Sequence, residues 1–92
     1  MNLRAAARDQ LCQLRLLSIC NGDPATSVLA HIRRAGNAGT GMKPPDVSGI
    51  VCCSACHDVL DGRAGNLRAH DSDILDGLLR THDLWRRLGL LR

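Results

Sequence analysis

The chain predicts a small α+β fold, and three observations carry the prediction. Cys53-Ser-Ala-Cys56-His57, with Asp61 four residues on, sets two thiols on a tight turn and a His/acid pair on the helix that leaves it. Two short β-prone stretches, residues 26–32 and 50–53, lie on either side of a loop rich in Gly and Pro. Ile74, Leu75, Leu78, Leu79, Trp85 and Leu88 then recur at helical spacing and predict one apolar face about four turns long.

Taken in order, residues 2–10 are Ala/Arg-rich and predict a turn or short helix. Cys12-Gln-Leu-Arg-Leu-Leu-Ser-Ile-Cys20 reads as an extended segment, closed by the turn Asn21-Gly22-Asp23-Pro24. Residues 26–32 form a strand ending near His31, and residues 36–45, with three Gly and two Pro, must be a loop. Residues 50–53 lead into the Cys53 turn, and a helix runs from His57 to Leu60. Residues 62–68 loosen the chain before Asp71-Ser-Asp, an N-cap whose acids suit the positive end of a helix dipole. The expected order is strand, strand, loop, strand, helix, and a long final helix. One domain spans 1–92, with a metal-stapled part over 1–61 and the C-terminal helix over 71–89.

A chain of 92 residues buries so little surface that it commonly needs a staple, and its five cysteines can provide one. No stretch has the pattern of a secretory signal and no apolar run reaches the ~20 residues of a membrane span, so the expected compartment is the cytoplasm, with no membrane partner. Thiols stay reduced there, and cysteine pairs favour metal over disulfides. Phe and Tyr are absent and Trp85 is the one aromatic residue, which argues against base stacking as a mode of recognition. The excess positive charge lies in the first half: residues 1–50 hold six basic and three acidic side chains, residues 51–92 six of each. Arg15, Arg33, Arg34 and Lys43 are therefore candidate phosphate contacts, with a solvated surface as the alternative.

Cys53 and Cys56 have the x₂ spacing of a zinc knuckle. A redox role for the pair would call for a thioredoxin-like unit that this chain is too short to build. Cys12 and Cys20, seven residues apart, are the expected second half of a four-thiolate structural Zn²⁺ site, and Cys52 is left over as a small apolar strand residue. His57 is the competing fourth ligand if one upstream cysteine is free. Otherwise His57 and Asp61, at i and i+4, are a second pair of metal ligands. His31 stands alone on its strand, either a catalyst or a half-buried structural histidine. His70, His82 and Asp83 read as loop and surface residues.

Ser27-Val-Leu-Ala-His31-Ile-Arg33, Gly39-Thr-Gly-Met-Lys-Pro-Pro-Asp46 and Cys53-Ser-Ala-Cys-His-Asp-Val-Leu-Asp61, in that order, resemble the HNH, or ββα-metal finger, nucleases of phages and prophages. The likeness is especially close to the prophage family of YbcO-like nucleases, and it extends over the segment from Cys12 to Cys20 and the helix from Leu75 to Trp85. The resemblance implies a metal-dependent DNA endonuclease. Its general base would be His31, its catalytic divalent ion, such as Mg²⁺ or Mn²⁺, would sit on His57 and Asp61, and Asp46 would orient His31 in place of the motif's central Asn, with Asn37 as the competing match. One position departs from the pattern: many such enzymes carry an acidic or His ligand directly before the catalytic histidine, and here Ala30 occupies it. The alternatives are a non-catalytic zinc-finger module that binds DNA or a phage recombination protein, and a structural homodimer that pairs through the apolar face from Ile74 to Leu88.

Overall fold

The computed structural model describes residues 2–32 and 44–91. Among these, helices α1 (Leu3–Ala6), α2 (Ser54–Leu60) and α3 (Asp71–Arg87) surround an antiparallel pair of strands, β1 (Val28–His31) and β2 (Gly49–Cys52). Single 3-10 turns at Pro24–Thr26 and Asp46–Ser48 lead into the strands. The fold is a small α+β unit with a two-stranded sheet and a long C-terminal helix.

A two-stranded ribbon is marginal by itself in water, so both of its faces must be covered. The register pairs Val28 with Cys52, Leu29 with Val51, Ala30 with Ile50 and His31 with Gly49. Side chains alternate, and Ala30, Ile50 and Cys52 pack with Leu14, Leu16, Cys53, Cys56 and Val59 on one side. Leu29 and Val51 pack with Leu3, Ala7, Leu84 and Trp85 on the other. Burial on both faces explains why β2 reads Gly-Ile-Val-Cys without polar alternation.

The outer edge of β2 is closed by side chains and a loop. Val51 N–H donates to Thr81 Oγ1 at 3.1 Å, Thr81 Oγ1 donates to the Gly77 carbonyl at 2.8 Å, and Gln13 N–H donates to the Val51 carbonyl at 2.7 Å. Arg80 adds a clamp, its guanidinium donating to the carbonyls of Gln13 at 2.7 Å and Leu14 at 3.1 Å. The approach is tight at Gly77, where a Cβ would lie 3.1 Å from Leu14 Cδ1 and 3.2 Å from Ile50 Cγ2, so a larger residue there would push its neighbours aside.

Three expectations are corrected. Residues 12–20 form no strand: Arg15 and Ser18 take positive φ values of 52° and 64°, and the amides of Ile19 and Cys20 both turn back onto the Leu16 carbonyl. An extended run would have carried Cys20 about 26 Å from Cys12, whereas these turns fold the two back together. On α3 the buried line is Gly77, Thr81, Leu84 and Trp85, with Ile74 and Leu78 partly covered, while Leu75, Leu79 and Leu88 are exposed. Gly and Thr mark the inward side because they permit close approach and edge bonding, a signal that counting apolar residues misses. Finally, His70 rather than Asp71 is the N-cap, its N–H donating to Asp73 Oδ2 at 3.1 Å. Acids in the first turn and Arg86 and Arg87 in the last complement the dipole as expected. Among the described residues no helix is long and apolar enough to cross a membrane.

Candidate functional site

Cys53 directly follows β2 and caps α2, so the turn that carries the Cys-x-x-Cys pair is also the start of a helix. Its Sγ accepts N–H bonds from Cys56 at 3.4 Å and Asn21 at 3.5 Å. Cys12 Sγ accepts from Arg15 N–H at 3.3 Å, Cys20 Sγ from Gly22 and Cys56 Sγ from Leu16. The two left-handed turns of residues 12–20 thus aim backbone donors at sulfur as well as reversing the chain.

The Sγ atoms of Cys12, Cys20, Cys53 and Cys56 all lie within 4.8 Å of one another, and those of Cys20 and Cys53 are 3.9 Å apart. Tetrahedral bonds of ~2.3 Å would separate sulfurs by about 3.8 Å, so these four residues can hold a metal ion. Burial pushes the Cys20 and Cys56 thiols up from the ordinary range. Burial also opposes ionisation of Cys53, but the N–H bonds from Cys56 and Asn21 overcome it and bring that thiol down to about 7. Cys53 is therefore drawn toward the thiolate, whereas Cys20 and Cys56 are held as thiols by burial. Cys52 stands outside the group, fully buried in the sheet, with its thiol pushed up by burial, as suits a small apolar residue.

His57 turns away from the sulfurs. Its Nε2 donates to Asp61 Oδ2 at 3.0 Å across one turn of α2, and both side chains are about a quarter exposed. Asp61, the C-cap of α2, also accepts from Arg63 at 3.0 Å, and Arg63 reaches Asp58 at 3.1 Å.

His31, the last residue of β1, donates from Nε2 to Asp46 Oδ1 at 2.7 Å and is mostly buried, while Arg4 Nε reaches the same oxygen at 3.4 Å. The His31 bond, with a smaller contribution from Arg4, holds the Asp46 carboxyl below its usual range. Strand alternation places His31 on the Leu29 face of β1 and Ala30 on the face that packs with Cys56 and Val59 of α2. Fully buried Ala30 occupies the face that packs with α2, where a third ligand beside that helix would stand. Among the described residues the four cysteines are the one group of three or more close potential ligands.

Arg33, Arg34, Lys43 and Asn37 lie outside the described residues. Arg15 is spent within its own loop, donating to the Cys12 carbonyl at 3.0 Å. His82 is more than surface, since it donates to the Val47 carbonyl at 2.7 Å and ties α3 to the turn before β2. Asp83 pairs with Arg86 and Arg87. Sequence reading missed Arg4, whose partner Asp46 is 42 residues away and leaves no local trace. It also missed Arg63, whose place two residues after Asp61 was a visible cue.

The family model described as "Putative nuclease YbcO" matches residues 1–90. "Putative nuclease YbcO" of Escherichia coli (strain K12) and "Putative nuclease ybcO" of Enterobacteria phage 82 are each 46% identical over 93 residues, covering 99% of this chain and 97% of theirs. Among solved structures, "Structure of a putative bacteriophage protein from Escherichia coli str. K-12 substr. MG1655" superposes with a TM-score of 0.73 at 39% identity, covering 96% of this chain and all of that one.

Proposed function

The chain belongs to the family described as "Putative nuclease YbcO", and from that membership we propose that it is a metal-dependent DNA endonuclease of phage origin, built on an HNH-type ββα-metal finger and stapled by zinc. The observation that carries the reading is His31, held at the end of β1 by a 2.7 Å bond to Asp46 in a chain ordered strand, strand, helix. Such a histidine is aimed by its carboxylate, which also stabilises the imidazolium formed when the ring takes a proton from water.

Four thiolates suit Zn²⁺, and Cys12, Cys20, Cys53 and Cys56 would close its coordination shell, so that ion holds the fold and leaves no open position for substrate. His57 and Asp61 would hold a catalytic Mg²⁺ or Mn²⁺, which supplies charge stabilisation to the phosphate and the leaving 3′ oxygen. With two protein donors in place of three, that site depends on water and substrate phosphate to complete it. Arg63 occupies Asp61 and must give way for the carboxylate to take a metal. His31 acts from the other side of the finger on the attacking water, and Arg33, Arg34 and Lys43 contact phosphates with slight sequence preference. The partner is DNA in the cytoplasm, with phage recombination proteins or a second copy of the chain as further candidates.

A plasmid-nicking assay with Mg²⁺, Mn²⁺ and EDTA lanes tests the reading. Nicking with added ion, none with EDTA, and a loss of ~10²–10⁴ in His31→Ala are expected. Binding without nicking under every condition would replace the reading with that of a zinc-finger binding module, which Ala30 favours.

A further inference from the structure

The two strands differ in what closes their outer edges. Val51 turns its N–H and carbonyl away from β1, toward Thr81 and Gln13, so it occupies a non-hydrogen-bonded position of the ladder. Its register partner Leu29 must then turn its own N–H and carbonyl away from β2, toward the other edge. That edge faces a cleft of about 450 Å³ between β1 and α1, lined by Arg4, Arg8, Asp9, Ser27, Leu29 and His31.

Charge decides what such a cleft would take. Arg4 stands beside the His31–Asp46 pair through its bond to the shared carboxylate oxygen. Arg8, one turn further along α1's own direction, is exposed, and among the described residues no carboxylate pairs with it. Asp9 lies at the same cleft but makes no ion pair with either arginine among the described residues, so Arg8 is available to an anion directly and Arg4 by exchange with Asp46. A polypeptide strand added to this edge would leave Arg8 without a counter-charge, whereas a sugar-phosphate strand would supply one and could also accept from Leu29 N–H.

We infer that the cleft between α1 and the outer edge of β1 is a DNA-backbone track, in which Arg4 and Arg8 contact successive phosphates and lead the strand to His31. The inference rests on the nuclease reading and adds to it a binding surface distinct from the basic residues picked out by sequence. Arg4 has a second role within it: its bond to Asp46 is exchanged for phosphate when DNA is present, leaving Asp46 to His31.

The test is equilibrium binding of the full zinc-loaded chain to a labelled DNA duplex across a salt series, without added Mg²⁺ or Mn²⁺. Each phosphate contact adds about 0.9 to the slope of log affinity against log salt. Arg8→Ala, which breaks no side-chain bond among the described residues, should lower that slope by about one and weaken binding on the order of tenfold at 0.1 M salt. Arg4→Ala/Arg8→Ala should lower the slope by about two, and Arg4→Lys/Arg8→Lys should recover most of the binding. Arg86→Ala/Arg87→Ala, at the end of α3, should leave the slope unchanged. Wild-type slope and affinity in Arg8→Ala and in the double alanine variant, in a protein that still nicks DNA, would overturn the track and leave the nuclease reading standing. Failure of the wild type to bind or nick DNA at all would overturn both.

Discussion

The cysteine cluster and the histidine pairs are built on opposite terms, although Cys56 and His57 are adjacent in the chain. The sulfurs are mostly enclosed: Cys12, Cys53 and Cys56 are buried and Cys20 half-buried, and backbone N–H groups point at the four Sγ atoms. The histidines instead pair with single carboxylates at the rim, and those carboxylates are contacted in turn by exposed arginines. A closed donor set can hold an ion and does nothing else. A half-open pair whose carboxylate is shared with an exposed guanidinium can change partners, which binding and proton transfer both require. On the proposed reading, stability and chemistry would fall on neighbouring residues with little overlap.

The largest effect should come from breaking the closed set. Cys53→Ser or Cys12→Ser forfeits much of the ~10–16 kcal/mol of apparent binding that structural zinc gives small domains, and the chain should be unfolded at 25 °C. Native mass spectrometry should find one zinc per wild-type chain and none in these variants, with Cys52→Ser keeping its metal. Full zinc retention and folding in Cys12→Ser and Cys20→Ser would sink the four-sulfur site.

His57→Ala sharpens the boundary from the other side. Cleavage should fall by at least ~10²-fold while zinc content and the circular dichroism spectrum stay at wild type, with Asp61→Ala losing less. Loss of zinc in His57→Ala would mean that the two regions share a ligand and are not separate.

Thr81→Val asks whether zinc alone supports the closed side. The change keeps the shape but strands the Val51 N–H in a buried edge, at a cost of ~1–3 kcal/mol. Tm should drop by roughly 4–8 °C per kcal/mol with zinc still bound. An unchanged Tm would show that the metal makes the β2 edge contacts redundant.

The smallest effect belongs to Asp46. Its carboxyl is held below the ordinary range, first by His31 and then by Arg4, so its contribution is present above the unfolded value near 3.9 and is lost only as pH falls through the lower folded one. With the side chain 38% exposed, screening keeps that contribution under ~1 kcal/mol. Asp46→Asn should therefore lower Tm by less than about 8 °C, by an amount that does not shrink between pH 7 and pH 5. A gap that closes inside that window would assign the titration to another group.

Local spacing made the Cys53–Cys56 turn, the helix behind it, the two strands and the long C-terminal helix legible in the sequence. Knuckles, caps and strands are set by residues within a few positions of one another, and that information survives in one dimension. The pairing of His57 with Asp61 was legible for the same reason, being a one-turn spacing on a helix. What the tertiary structure alone decided is everything that joins distant residues. It folded residues 12–20 into left-handed turns, against their apparent β propensity, because bringing Cys12 and Cys20 beside Cys53 and Cys56 outweighs local preference. It buried Gly77 and Thr81 in place of Leu75 and Leu79, because α3 approaches β2 through its smallest side chains. It also brought Arg4 from α1 to the carboxylate that holds His31, a contact across 42 residues. Propensity and periodicity are properties of a single segment, whereas close approach and shared partners belong to pairs of segments and appear only when the chain is folded.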